Sequence, residues 1–242
     1  MKQTANTNEG PKQDYVPALG FAWATRLYDS AIRISMREGL LRKRTVACVK
    51  QANPSEVLEA GCGTGSLTRA LARGLPNANI TGVDIDPQAL KIAQEKLDDA
   101  DIVKLIAANL LNLVDVKELS EKRFDHVVSS LVLHHLTTGQ KHIVLKNLWA
   151  LLNKDGKLTI VDWGPPVGIV QYLGFWLVRL LDGLEFTGAN REGRLPSLLS
   201  GAGFTVENVK PLHQTALGTV WLYQARRSPE GSTNQNITLG DI

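Results

Sequence analysis

The chain has 242 residues, enough for one ordinary domain. Hydrophobic residues make up 43% and charged residues 21%, which excludes a disordered chain and gives a core that needs no disulfide or metal staple. Lys and Arg number 27 against 24 Asp and Glu, too small an excess for the basic stripe of a nucleic-acid binder. No nucleic-acid partner is expected. The densest basic run, Arg42-Lys43-Arg44, reads as a solvated turn of helix. The two cysteines, Cys48 and Cys62, make neither a disulfide framework nor a zinc ligand set. The expected location is therefore reducing and cytoplasmic.

Residues 1–14 read as a polar tail with no signal-peptide core, and 228–242 as a second tail. Between them, 15–227 reads as a single domain with a helical cap at 15–50. The middle alternates short apolar runs with helical patterns. Strands are expected at 56–60, 79–84, 103–107, 124–131 and 157–161. Helices are expected at 66–73, 87–97 and 140–152, the last closed by 153–156. A further helix at 191–199 and a hairpin of strands 204–209 and 218–225 follow. This alternation predicts an α/β fold, a doubly wound and mainly parallel seven-stranded sheet of Rossmann-like type with a C-terminal antiparallel hairpin. Such a sheet binds its ligand at the carboxyl ends of the strands.

The first strand runs into Glu59-Ala60-Gly61-Cys62-Gly63-Thr64-Gly65-Ser66. Glycines there let a ligand reach the backbone at a helix N-terminus. A P-loop lysine is missing, and both registers of the dinucleotide pattern G-x-G-x-x-G fail, at Ser66 and at Thr68. A nicotinamide oxidoreductase is disfavoured accordingly. The spacing is G-x-G-x-G after an acid, and Glu59 suits a ligand with a cationic amine. Asp84 ends the next strand, where a carboxylate can accept from both hydroxyls of a ribose. Ile85 beside it can cover an adenine ring.

Residues 57–65, Gly82-Val83-Asp84-Ile85-Asp86, the run from Phe124 to Leu136, and the late turn Gly201-Ala202-Gly203-Phe204 together resemble class I S-adenosylmethionine-dependent methyltransferases. The subgroup they resemble is the small-molecule type related to quinone-biosynthesis enzymes. The resemblance implies S-adenosylmethionine as cofactor and S-adenosylhomocysteine as product. It implies that Gly61, Cys62, Gly63 and Gly65 hold the methionine part and that Asp84 holds the ribose. Ile85 and Leu110 would border the adenine, with Asn109 near its amino group in place of the common Asp. Ser129 would pass near the methionine part, and Tyr28 would help close the pocket.

Methyl transfer from a sulfonium is an in-line displacement in which the protein mainly aligns the reactants. No metal is required, and no metal site is expected. His134 and His135, just beyond the fourth strand, are candidate bases for an oxygen or carbon acceptor. Either can instead cap or pack on the next helix. Asp162, ending the fifth strand, can orient an acceptor, act as a base or brace a turn. Residues 167–190 are rich in Leu, Phe, Trp and Tyr with helical spacing, and read as a substrate lid facing Trp23 and Tyr28. Packing helix, dimer surface and peripheral membrane contact are the other readings of that segment. It is too short for a bilayer span of about 20 residues. The expected function is methylation of a small lipophilic or aromatic acceptor by a monomer or homodimer. The alternative is a non-catalytic protein of the same fold that binds S-adenosylmethionine.

Overall fold

A computed structural model describes residues 38–97, 101–167, 193–215 and 218–229. Tyr28, Trp23, the two expected tails apart from Ser228 and Pro229, and the expected lid beyond Val167 lie outside the described residues. The order is α1 (Glu38–Lys50), β1 (Glu56–Ala60), α2 (Ser66–Gly74), β2 (Asn79–Asp84), α3 (Pro87–Leu97) and β3 (Val103–Ala107). A 3-10 segment (Leu110–Asp115), α4 (Lys117–Ser120), β4 (Phe124–Ser130) and a 3-10 turn (Leu133–His135) follow. Then come α5 (Thr138–Leu151), β5 (Leu152–Gly164), α6 (Leu195–Gly201), β6 (Phe204–Thr215) and β7 (Gly218–Arg227).

The seven strands run β3-β2-β1-β4-β5-β7-β6. β7 is antiparallel to both neighbours, and the other pairs are parallel. The order reverses between β1 and β4, so the loops leaving those two strands diverge and leave a crevice at their carboxyl ends. Alternation along the strands fills both faces. Leu58, Val127 and Ile160 pack with Leu145, Leu148 and Phe204 on the α5 side. Val57, Ile80 and Val128 pack with Val49, Leu67 and Leu71 on the α1–α2 side.

α5 starts at a capping box. Thr137 Oγ1 accepts from the Gln140 amide and Gln140 Oε1 accepts from the Thr137 amide, satisfying two donors at the helix start. Near its other end Asn147 donates to the carbonyls of Leu110 and Leu111 at 3.0 and 2.8 Å. This fixes the 3-10 segment that borders the crevice.

Three boundaries differ from the sequence reading. The expected turn at 153–156 lies within β5, because fully buried Leu152 pairs with Phe124 and the register shift before His126 absorbs the extra residues. α6 begins at Leu195, not 191, with Pro196 in its first turn. The hairpin strands run longer, and Ser228 is buried rather than part of a tail. Its amide donates to Gly203 O at 3.0 Å, and its hydroxyl lies 2.6 Å from that of Thr205. Trp149 Nε1 also donates to Gly203 O, at 2.8 Å. The late glycine turn is thereby stitched to α5. No helix among the described residues is long and apolar enough to cross a membrane.

Candidate active site

The loop after β1 is anchored to β2. The amides of Gly61 and Cys62 both donate to the Val83 carbonyl, at 2.8 and 3.0 Å. Cys62 is buried over Gly82, where a Cβ would lie 3.1 Å from its sulfur. Its thiol is held well above the usual range, first by burial and then by the nearby Glu59 and Asp84. It is a packing group rather than a nucleophile.

Gly61, Gly63 and Gly65 have φ of 80, 50 and 72°, but their surroundings differ. A Cβ on Gly61 would meet Val132 Cγ2 at 2.4 Å, and one on Gly65 would meet Ala93 Cβ at 2.8 Å. These two let the loop close against the segment after β4 and against α3. A Cβ on Gly63 would meet nothing within 4 Å. Its bare backbone is therefore open to an approaching ligand. Gly61→Ala is expected to cost about 2 kcal/mol, from positive φ together with overlap on Val132. Urea unfolding checks this, and a variant as stable as the parent would show that Val132 yields freely.

Asp84 reaches back across this loop. Its Oδ2 accepts from the Gly63 amide at 2.7 Å and its Oδ1 from the Asp86 amide at 3.0 Å. Each oxygen keeps a second lone pair for a hydroxyl. Asp84, Gly61, Ile85, Asn109, Leu110 and His135 line one cavity of about 440 Å³. Ile85 is 65% exposed at its edge, an apolar surface without a protein partner of matching size. Asn109 differs in detail from expectation. Its Oδ1 caps the 3-10 segment, accepting from the Leu111 amide at 3.0 Å.

Glu59 is the least expected feature electrostatically. It is 1% exposed, and neither its Oε2 nor the Thr68 hydroxyl has a hydrogen-bond partner among the described residues. Burial pushes its carboxyl up to about 8. The nearby Thr68 hydroxyl opposes that rise, and the Asp84 charge adds to it. A buried acid without a donor is a costly arrangement unless a ligand supplies the donor.

The Ser129 hydroxyl is buried and donates to the Ala60 carbonyl at 2.9 Å, tying β4 to β1 just below the glycine loop. Ser130, the next residue and on the other side of the pleat, lines the cavity. Leu131, Val132, Leu136 and Gln140 also line the cavity and were not legible as site residues. Leu131 has φ of 58°, a strained turn for a branched residue that aims the chain after β4 across the crevice.

The two histidines divide. His134 Nδ1 lies 2.7 Å from Asp162 Oδ1, and its amide donates to Asp162 Oδ2 at 3.2 Å. The Trp163 amide donates to Oδ1 at 2.7 Å. Asp162 is wholly buried and acts as a brace for His134, so a free base at this position is not what the geometry provides. A carboxylate accepts only, so His134 donates from Nδ1 to Asp162 Oδ1. His135 stacks on His134 with ring centroids 3.9 Å apart. Partial burial and the neighbouring His134 hold it below the ordinary imidazole value, although it remains exposed at the cavity rim. Two buried groups that sequence reasoning missed sit in the electrostatic field of Asp162. They are Lys141 on α5 and Tyr223 on β7, and the Tyr223 hydroxyl has no partner among the described residues.

Residues 58–158 match the methyltransferase domain family. That stretch contains every residue that lines the cavity. A demethylmenaquinone methyltransferase of Thermotoga maritima is 30% identical over 125 residues, 52% of this chain and 51% of the relative. A malonyl-[acyl-carrier protein] O-methyltransferase of Priestia megaterium is 33% identical over 109 residues, 45% of this chain and 36% of the relative. The chain thus spans about half the length, or less, of the curated relatives it matches. Magnesium protoporphyrin IX methyltransferase from Synechocystis PCC 6803, solved with bound S-adenosylhomocysteine, shares the fold. The TM-score is 0.63 at 22% identity, over 81% of this chain and 85% of that one. An N-methyltransferase of Bradyrhizobium japonicum shares it at 0.59 and 20%, over 78% and 87%.

The Synechocystis enzyme is also solved with bound S-adenosylmethionine, and the residues of the present site fit that molecule. The open backbone at Gly63, the half-exposed Asp84 carboxylate and the donor-less Glu59 match the backbone-hugging amino acid, the ribose and the ammonium of that molecule. Asp84→Ala is expected to weaken S-adenosylhomocysteine at least about 100-fold, since two charge-assisted hydrogen bonds vanish. Calorimetry reads this directly. Equal affinity would place the ribose elsewhere.

Proposed function

We propose that this chain transfers a methyl group from S-adenosylmethionine to a small, lipophilic or aromatic acceptor. The observation that carries the cofactor half is Glu59, a buried carboxyl whose Oε2 has no hydrogen-bond partner among the described residues, behind a glycine loop and near Asp84. S-adenosylmethionine supplies an activated methyl on a sulfonium, so the chain's task is alignment and proton removal. Asp84 and the glycine loop orient one reactant. In this reading the His134–Asp162 pair orients the imidazole at the same end of the sheet, and Nε2 takes the proton from an acceptor hydroxyl or acidic carbon.

Support for a lipophilic acceptor is the aromatic-rich stretch at 167–190, together with Leu131, Val132 and Leu136 on the cavity wall that follows β4. The names of the relatives point to a quinone precursor in one case and an acyl-carrier ester in another. A radiolabelled methyl-transfer assay over lipophilic phenols, quinols and carboxylic acids tests the reading. Turnover of at least one class, rising with chain length or ring size, is expected. Saturable cofactor binding with no product from any class would favour the non-catalytic binding protein.

A further inference from the structure

A second concave surface lies away from the cavity described above. α1, α2 and α3 border an open groove of about 560 Å³ lined by Arg42, Lys43, Arg69, Arg73 and Lys96. No carboxylate lines it, and it shares no lining residue with the cofactor cavity. For a chain whose net charge is only +3, five cations from three helices form a marked local concentration. Arg42 is paired with Glu38 at 3.0 Å. Lys96 donates to the Thr64 carbonyl and hydroxyl at 2.8 and 2.9 Å. The side chains of Lys43, Arg69 and Arg73 have no ion-pair partner among the described residues.

The arrangement opposes helix stability. Arg69 and Arg73 are like charges four residues apart on α2, and α2 carries no acid in its first turn. Arg73 is offset by its place in the last turn, whereas Arg69 lies toward the positive end of the helix. Fixed cations that repel each other across a concave surface are relieved by a compact polyanion. Guanidinium forks match phosphate oxygens in pairs.

We propose that this groove is a second binding site, for the phosphate groups of a phosphorylated ligand. A soluble phosphate ester or diphosphate and a phospholipid headgroup share this chemistry, and the two arms of the test distinguish them. The site neighbours the glycine loop through Lys96 and Thr64 without overlapping it.

The test titrates the full chain with pyrophosphate at constant ionic strength, and separately measures sedimentation with phosphatidylglycerol vesicles. Pyrophosphate is expected to bind saturably, and Arg69→Gln/Arg73→Gln is expected to weaken it at least about tenfold while S-adenosylhomocysteine affinity stays unchanged. Asp84→Ala is expected to leave pyrophosphate binding intact. Failure of the groove and failure of the cofactor assignment are therefore read separately. Vesicle binding that the double variant abolishes, with no pyrophosphate binding, would assign the same phosphate chemistry to a lipid. Absence of both, or pyrophosphate binding indifferent to the double variant, would overturn the site.

Discussion

Glu59→Gln loses S-adenosylhomocysteine binding by about 100-fold or more, yet makes the free protein more stable at pH 8. Both effects follow from one buried carboxyl. In the unfolded chain its pKa is the ordinary 4.5, and in the fold it is about 8. Between those values the native state holds a proton that the unfolded chain has released, so stability falls as pH rises. From pH 6 to pH 8 that loss is about 2 kcal/mol. Glutamine removes the slope, because it has no proton to lose. It also removes the charge that an ammonium group would meet. Urea unfolding at the two pH values, alongside a calorimetric titration, measures both. A variant with unchanged affinity, or a parent whose stability is flat over that range, would remove Glu59 from the site.

Asp162→Ala is expected to destabilise the fold by about 3 kcal/mol. Asp162 accepts from His134 Nδ1, from the His134 amide and from the Trp163 amide. It is also the negative charge that favours the buried Lys141 ammonium, which burial and Arg194 disfavour. Removing it leaves donors and a cation uncompensated in a water-poor setting. Asp162→Asn separates structure from chemistry. The amide keeps the volume and most of the packing, but it brings no negative charge to an imidazolium, and its nitrogen faces a donor in either orientation. Methyl transfer to an acceptor that needs deprotonation should then fall by about 10²-fold or more. Melting curves and initial rates on the two variants distinguish the roles. Full activity in the asparagine variant would show that His134 is not the base.

The cofactor half of the site was legible because its residues are close in sequence and their chemistry is restrictive. A glycine loop after a strand, an acid before it and an acid ending the next strand leave few ligands. The sheet topology followed from the same alternation, and β7 entering antiparallel between β5 and β6 agrees with the hairpin expected at the C-terminus. Ser130 was not named from the sequence because the resemblance pointed to its neighbour Ser129, and only the pleat of β4 shows which of the two side chains lines the cavity. The start of β5 failed because Asn153-Lys154-Asp155-Gly156 has turn chemistry locally, while Leu152 is held by a partner on β4.

Lys141 and Tyr223 were out of reach for a different reason. One sits in the first turn of α5 and the other in a strand about 80 residues later. The placement of β7 beside β5 brings Tyr223 near Asp162, and the packing of α5 on the sheet brings Lys141 there. The division of labour between the histidines was equally invisible. Adjacent residues in a 3-10 turn present their rings differently, and it took the position of Asp162 to show which one is braced.

The most direct test of the account is calorimetric titration of the purified chain with S-adenosylhomocysteine at pH 7, in two buffers of different ionisation heat, with NADH as control. The account predicts micromolar binding, none for NADH, and release of about one proton as the ligand's ammonium converts Glu59 to its carboxylate. Folded protein that binds neither ligand, or binds S-adenosylhomocysteine with no change in protonation, would contradict it.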